Sequence, residues 1–348
     1  MMFSRSQTSL IGVDIGHRRI KAVQVGDDGR LLHRLNIERL QFGDTLDQAD
    51  ATRLAGAIAG HGFQGTTLAV SPPKGSLKTG VLELPPKGSG APIEQIAQME
   101  LARMHKLEPG RFEMAIWTLP APARAGTMTH AMGAACDHES STTLIDTLLE
   151  AGFEVDGIDV PAWAVARACR PRLQAEQVTL VVDVGWTSTE LTVMHGNIVI
   201  FERSRAESGL CRLADHLEHS LGLSSESAAY VLEEIGVSGT ITGVEGPIAD
   251  ETRQIAHDFA DRLADEIRAA SAYASHRYPE TPAARVLLVG GGAGMPGLCE
   301  HLASVCSLET ESLSPHLLAE CDDTPVERWC DSGLMSAYGM ALWSEGQS

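Results

Sequence analysis

The chain has 348 residues, 43% of them hydrophobic and 21% charged, which is the composition of a soluble globular protein with room for two cores. Its 27 basic residues face 46 acidic ones, a net charge of −19, which argues against nucleic acid or an anionic lipid surface as the main partner. The seven cysteines form no CxxC pair, and their odd number suggests reduced thiols, neither a disulfide framework nor a metal site. No apolar run approaches the ~20 residues of a membrane span, and the polar start MMFSRSQTS lacks a signal-peptide pattern. A cytoplasmic protein is expected, with no direct membrane insertion.

Residues 10–39 alternate like paired strands, with a hairpin at Asp27-Asp28-Gly29. A helix is predicted over 50–61, a short buried strand over 66–71 and another strand over 77–84. After the loop Pro85-Pro86-Lys87-Gly88-Ser89-Gly90, Pro92 opens a helix with Ile93, Ile96, Ala97, Glu100, Leu101 and Met104 at helical spacing. Strands over 112–119 and 128–136 follow, joined by a loop at 120–126. The block 77–136 interrupts a pattern that resumes on its far side, so it reads as an insertion. Helices over 140–151 and 161–169 bracket a strand at 154–160. A strand pair begins at Thr179. Helices are predicted over 211–220 and 224–235, a glycine-rich loop over 236–246, and a long amphipathic helix over 250–276 with Ile255, Phe259, Leu263, Ile267 and Ala270 on one face. A final helix lies within 327–343. His216 and His219 read as surface residues.

Three separated segments stand out. Residues 10–25 (LIGVDIGHRRIKAVQV) and 179–193 (TLVVDVGWTSTELTV) share one pattern: an apolar run, Asp, an apolar residue, Gly, a polar turn, then alternating apolar residues. Residues 285–302 (RVLLVGGGAGMPGLCEHL) run from a strand through Gly290-Gly291-Gly292 and Pro296-Gly297 into a helix. A strand–Asp–Gly-turn–strand unit places a carboxylate and backbone N–H groups at a hairpin tip. Two such tips facing each other can hold a phosphate chain and its metal ion. A glycine-rich strand-to-helix turn lets a base or ribose approach the main chain. The spacing of Asp14 and Asp183 suggests a duplicated strand–strand–helix domain, and hence two mixed α/β lobes around a cleft.

These segments resemble, in order, the first phosphate loop, the second phosphate loop and the adenosine segment of the actin-like ATPase superfamily. Residues 161–169 and 331–343 resemble its two connecting helices. Within the superfamily the chain resembles the PilM family of type IV pilus assembly proteins over nearly its whole length. The matching stretches are 77–85 (LKTGVLELP), 93–103 (IEQIAQMELAR), the Ala-Gly turn within 149–160, residues 201–209, residues 221–229 (LGLSSESAA), and 267–297. The insertion sits as in the cell-division protein FtsA.

The resemblance implies an α/β actin-like ATPase fold, two duplicated lobes around a nucleotide cleft with an FtsA/PilM-type inserted subdomain. Its parts would be a first lobe over 8–76, an inserted interaction subdomain over 77–138, the first lobe again over 139–177, a second lobe over 178–326 with 206–262 as its outer subdomain, and a C-terminal first-lobe helix over 327–345. It further implies ATP and Mg2+ as ligands. Asp14 and Asp183 would organise the metal, largely through water, or else simply close their own turns. Gly16, His17, Arg18, Lys21, Gly185, Trp186, Thr187 and Ser188 would surround the phosphates. Among these, Gly16 and Gly185 would turn their N–H groups toward the anion, Lys21 would reach it from the returning strand, and Arg18 would add charge at the tip or stay solvated. Gly290, Gly291, Gly292 and Met295 would meet the base and ribose. Glu100 is placed in the insert helix, where a structural or interface role is expected. No residue that positions an attacking water is evident, so at most slow ATP hydrolysis is expected.

The implied partner is the N-terminal cytoplasmic peptide of a bitopic inner-membrane protein, PilN-like, received in a groove beside the insert. That would hold the protein peripherally at the inner membrane, and self-association would also fit the superfamily. Three positions differ from the family pattern: His17-Arg18-Arg19 replaces small residues, Trp186 is bulky, and 228–232 lacks the usual Glu and Lys. Two other readings therefore stay open, a small-molecule kinase of the same superfamily and a nucleotide-free scaffold.

Overall fold

Three antiparallel strands open the fold: β1 (Ile11–Ile15), β2 (Arg19–Val25) and β3 (Leu31–Glu38), followed by α1 (Gln48–Gly60) and β4 (Thr67–Val70). The next group is β5 (Leu77–Leu84), α2 (Ile93–His105), β6 (Phe112–Thr118) and β7 (Thr129–Asp137). Then come α3 (His138–Glu150), β8 (Glu154–Ile158) and α4 (Pro161–Cys169). The second half holds β9 (Val178–Val184), β10 (Thr189–His195), β11 (Ile198–Arg205), α5 (Leu210–Leu221), α6 (Ser225–Glu234) and α7 (Pro247–Arg277). It closes with β12 (Ala283–Val289), α8 (Leu298–Cys306), β13 (Glu309–Ser312) and α9 (Met335–Ala341). The computed structural model describes residues 9–123, 126–239, 246–321 and 326–343. The central parts of the expected loops at 120–126 and 236–246, and the extreme ends of the chain, lie outside the described residues.

Two five-stranded sheets carry the same topology. One runs β3-β2-β1-β4-β8 and the other β11-β10-β9-β12-β13. In both, the first strand pairs antiparallel with the second and parallel with the fourth, and the last strand pairs parallel at the edge. The duplication expected from the two Asp-Gly segments is thus a repeat of the whole sheet. Sandwiched central strands need apolar residues on both faces, which is why β9 reads TLVV without alternation and is buried along nearly its whole length. The helix expected at 250–276 begins earlier, at Pro247, where proline's missing N–H leaves no helical bond unmade. The fifth strand of the second sheet, β13, has only four residues, too few for periodicity to reveal.

The two lobes meet where α4 crosses α9. A Cβ on Gly339 would fall 1.8 Å from the carbonyl oxygen of Ala164, so here the two helices touch backbone to backbone. Arg167 ties the crossing down, its Nη1 donating to the Gly339 carbonyl at 2.8 Å and to Asp159 Oδ2 at 2.7 Å.

The inserted block is a separate three-stranded sheet, β5-β7-β6. One face packs on α2 through Leu82, Leu84, Ala97, Leu101 and Phe112. Leu119 and Met132, from the same block, join the core of the second lobe. Trp117 stacks on Trp163 of α4 at 4.5 Å, and Tyr278 Oη at the end of α7 donates to the Pro120 carbonyl at 3.0 Å. The insert therefore leans on the second lobe as well. It returns to the first lobe without a loop, because Asp137 ends β7 and caps α3 by accepting from Ser140 N at 2.8 Å. Glu100 lies on α2 and pairs with Arg103 at 2.6 Å. His216 and His219 are exposed. All seven cysteines are free. Among the described residues no helix is long and apolar enough to cross a membrane.

Candidate nucleotide cleft

The two Asp-Gly turns close in the same way. Gly16 N donates to the Arg19 carbonyl at 3.0 Å, and Gly185 N donates to the Ser188 carbonyl at 3.1 Å. The glycine N–H groups expected to face phosphate are thus committed to closing the turns. The amides left at the tips belong to residues 17–18 and 186–187. Neighbouring segments fix both loops. The first is held by the stretch after β3: Arg39 N donates to the Arg18 carbonyl at 2.8 Å and Gly43 N to the His17 carbonyl at 3.1 Å. His17 Nδ1 also meets Asp44 at 3.1 Å. The second is held by the start of α5, whose Leu210 and Cys211 amides donate to the carbonyls of Gly185 and Trp186.

Beneath the first loop lies a buried ion pair. Arg39 and Asp50, with side chains only 2% and 1% exposed, meet at 2.8 Å. The same guanidinium donates to the carbonyls of Gly16, Gly43 and Thr45. A buried charge needs this full complement of partners, and the consequence is a loop braced from below by an arginine.

Asp14 and Asp183 both act electrostatically on the ammonium of Lys21. Lys21 Nζ donates to Asp14 Oδ2 at 3.3 Å, both side chains being under 20% exposed. Burial works against the charge on Lys21, but the carboxylates of Asp14, Asp183 and Asp331 outweigh it and its pKa is raised. Asp331 joins from the start of the last helical segment, where it accepts from Gly333 N at 2.8 Å and from Asn36 Nδ2 at 2.9 Å. One lysine thus links β1, β9 and the C-terminal connection. Asp183 is pushed up to about 6, first by burial and then by the charges of Asp14 and Glu190, against the pull of Lys21 and Lys74.

Lys74 is the residue that reasoning from the sequence missed. It follows β4 in the turn Pro72-Pro73-Lys74-Gly75, and its Nζ donates to Thr187 Oγ1 and, at 2.7 Å, to Ser188 Oγ. Ser188 Oγ in turn donates a hydrogen bond to Glu190 Oε1 at 2.7 Å. A cation in a proline-glycine turn just after a parallel strand was the signal available, since the strand end points into the cleft. Arg18 of the first loop packs on aromatic rings. Its guanidinium lies 4.3 Å from the ring centre of Trp186 and 5.4 Å from that of Phe42.

The glycine segment expected to meet adenosine divides. Gly290, at φ 85°, is pressed against the second loop, where a Cβ would fall 2.1 Å from Asp183 Oδ1. Gly292 packs on Val184 and Leu210, and Met295 is 7% exposed within the second-lobe core. Gly291 alone of the triplet is exposed, with no atom within 4 Å of where its Cβ would be. Of the four residues expected there, Gly291 presents open main chain and the other three are turned to packing.

A family model described as type IV pilus assembly protein PilM matches residues 112–345. The chain belongs to the PilM family. A solved PilM-PilN type IV pilus biogenesis complex matches this PilM-family chain with a TM-score of 0.80 at 18% identity, covering 96% of this chain and 98% of that one. The ethanolamine utilization protein EutJ from Carboxydothermus hydrogenoformans matches with a TM-score of 0.58 at 15% identity, covering 97% and 90%. MreB5 of Spiroplasma citri bound to ADP matches with a TM-score of 0.55 at 11% identity, covering 98% and 97%. No curated protein matches. The fold of this PilM-family member is that of the actin-like ATPases.

Proposed function

We propose that this chain is an actin-like scaffold of a type IV pilus assembly machine. It takes an ATP-type nucleotide in the cleft and docks a short cytoplasmic segment of a PilN-like inner-membrane protein beside the insert. It therefore works in the cytoplasm, peripheral to the inner membrane. The observation that carries the nucleotide part is the convergence on one cleft of two matching loop tips, two aspartates from opposite lobes and Lys74. MreB5, which shares the fold, was solved with ADP bound.

The residues present fit such a ligand. Lys74 is held by two neutral hydroxyls and makes no ion pair among the described residues, so its charge is available to phosphate. The amides at 17–18 and 186–187 sit at the tips, and Gly291 offers open main chain to a base or ribose. Among the described residues no three acidic, histidine or cysteine side chains form a metal site on their own. A magnesium ion would therefore enter with the phosphates, held by Asp14 and Asp183 largely through water. When bound it neutralises phosphate charge. The domain limits given above are proposed with this reading.

Titration calorimetry with Mg-ATP on the full chain tests the cleft. Binding is expected, and Asp14→Ala and Asp183→Ala should abolish it. A wild-type protein that binds neither ATP nor ADP is a nucleotide-free scaffold instead. Fluorescence anisotropy with a labelled peptide from the cytoplasmic N-terminus of the PilN-like partner tests docking. Absence of saturable binding overturns that part.

A further inference from the structure

Arg18 occupies an unusual seat. Its guanidinium lies between two aromatic rings, Trp186 of the second loop and Phe42 beside the first. Among the described residues its one carboxylate partner, Glu38, is at 4.0 Å, the outer limit of an ion pair. Its Nε is buried and has no hydrogen-bond partner among the described residues. Lys74, the other cation that reaches the second loop from the first lobe, is seated on the hydroxyls of Thr187 and Ser188. Two positive groups thus converge on one loop tip, each held mainly by neutral groups. Rings and hydroxyls orient a cation without cancelling its charge. In a protein of net charge −19, basic groups left this short of acidic partners mark a place prepared for an anion.

Lys21 is poorly suited to that task, since Asp14, Asp183 and Asp331 already surround it. Resting on the nucleotide reading above, we infer that Arg18, aimed by Trp186 and Phe42, is the group that recognises the terminal phosphate and so distinguishes a nucleoside triphosphate from a diphosphate. With the base side of the cleft at Gly291 and the phosphate chain running toward the loop tips, the last phosphate is the one to reach the guanidinium. The planar fork of arginine suits a phosphate oxygen pair, and its freed Nε supplies a further donor. Because Arg18 and Trp186 belong to opposite lobes, the same contact makes lobe closure sensitive to which nucleotide is present.

The test is calorimetry with Mg-ATP and Mg-ADP on the full-length wild type, Arg18→Gln and Arg18→Lys, with thermal melting to verify folding. The wild type should favour ATP. Arg18→Gln should weaken ATP roughly tenfold or more while ADP changes by less than about twofold. Arg18→Lys keeps the charge without the planar fork, and should restore part of the ATP preference. A purely structural stack between the loops would move both nucleotides together. Equal loss for both, no loss for either, or a wild type that does not distinguish them overturns the inference and leaves the cleft reading standing. A wild type that binds neither nucleotide overturns the cleft reading, and this inference with it.

Discussion

Lys74 of the first lobe donates a hydrogen bond to Ser188 of the second at 2.7 Å, across 114 positions of sequence. Replacing Lys74 with Met should remove both the bridge and a phosphate-facing charge. Mg-ATP affinity is expected to fall by roughly tenfold or more. Thermal stability should change little, because each of its two half-open polar contacts contributes only about 1 kcal/mol. Unchanged affinity in calorimetry would remove Lys74 from the site.

The Arg39–Asp50 pair should behave in the opposite way. Asp50→Ala leaves a guanidinium buried at 2% exposure without its carboxylate. Breaking a buried pair from one side typically costs about 3–5 kcal/mol. Urea denaturation should show that loss in the unfolding midpoint, and the first loop should lose its brace. A cost below about 1 kcal/mol would show that the carbonyls of Gly16, Gly43 and Thr45 suffice for Arg39.

Gly339→Ala should be among the most damaging small changes in the chain. Its new methyl would meet the Ala164 carbonyl of α4, and overpacking of this kind costs about 1–3 kcal/mol or more. Gly291→Ala has open space around it and should leave the melting temperature unchanged while weakening nucleotide binding. Similar melting temperatures for the two variants would mean that the helix crossing can shift to make room.

Glu202, on β11, gives stability a pH dependence. Burial, and after it the charge of Glu190, pushes its carboxyl up to about 7, with a hydrogen bond to Thr79 of β5 pulling the other way. The folded protein therefore holds this proton at pH values where the unfolded chain has lost it. The associated stability is fully present below about pH 4 and is lost as pH rises through about 7. Asp183, pushed up to about 6, acts in the same direction. Glu202→Gln should flatten the fall in melting temperature between pH 5 and 8. Parallel curves for wild type and variant would contradict this account.

Nucleotide and partner should also be coupled. If a nucleotide spanning both lobes changes how the insert sits against β11 and α4, the partner peptide binds with different affinity in the presence of Mg-ATP. Equal peptide affinity with and without Mg-ATP would separate the two sites.

The sequence by itself determined the repeat and its punctuation. Each Asp-Gly turn lies between apolar runs whose order is local, so the leading strands of both sheets and the long helix were legible from periodicity and glycine placement. The family resemblance added the expected ligands. Tertiary structure decided which atoms face the cleft. Gly16 and Gly185 spend their amides on the turns, Gly290 lies against Asp183, and Met295 goes into the core, because backbone hydrogen bonds and packing claim them first. Lys74 reaches the site only through contacts with residues more than a hundred positions away. Such contacts carry no local periodicity, and a lysine in a proline-glycine turn looks the same in sequence whether it faces solvent or the opposite lobe.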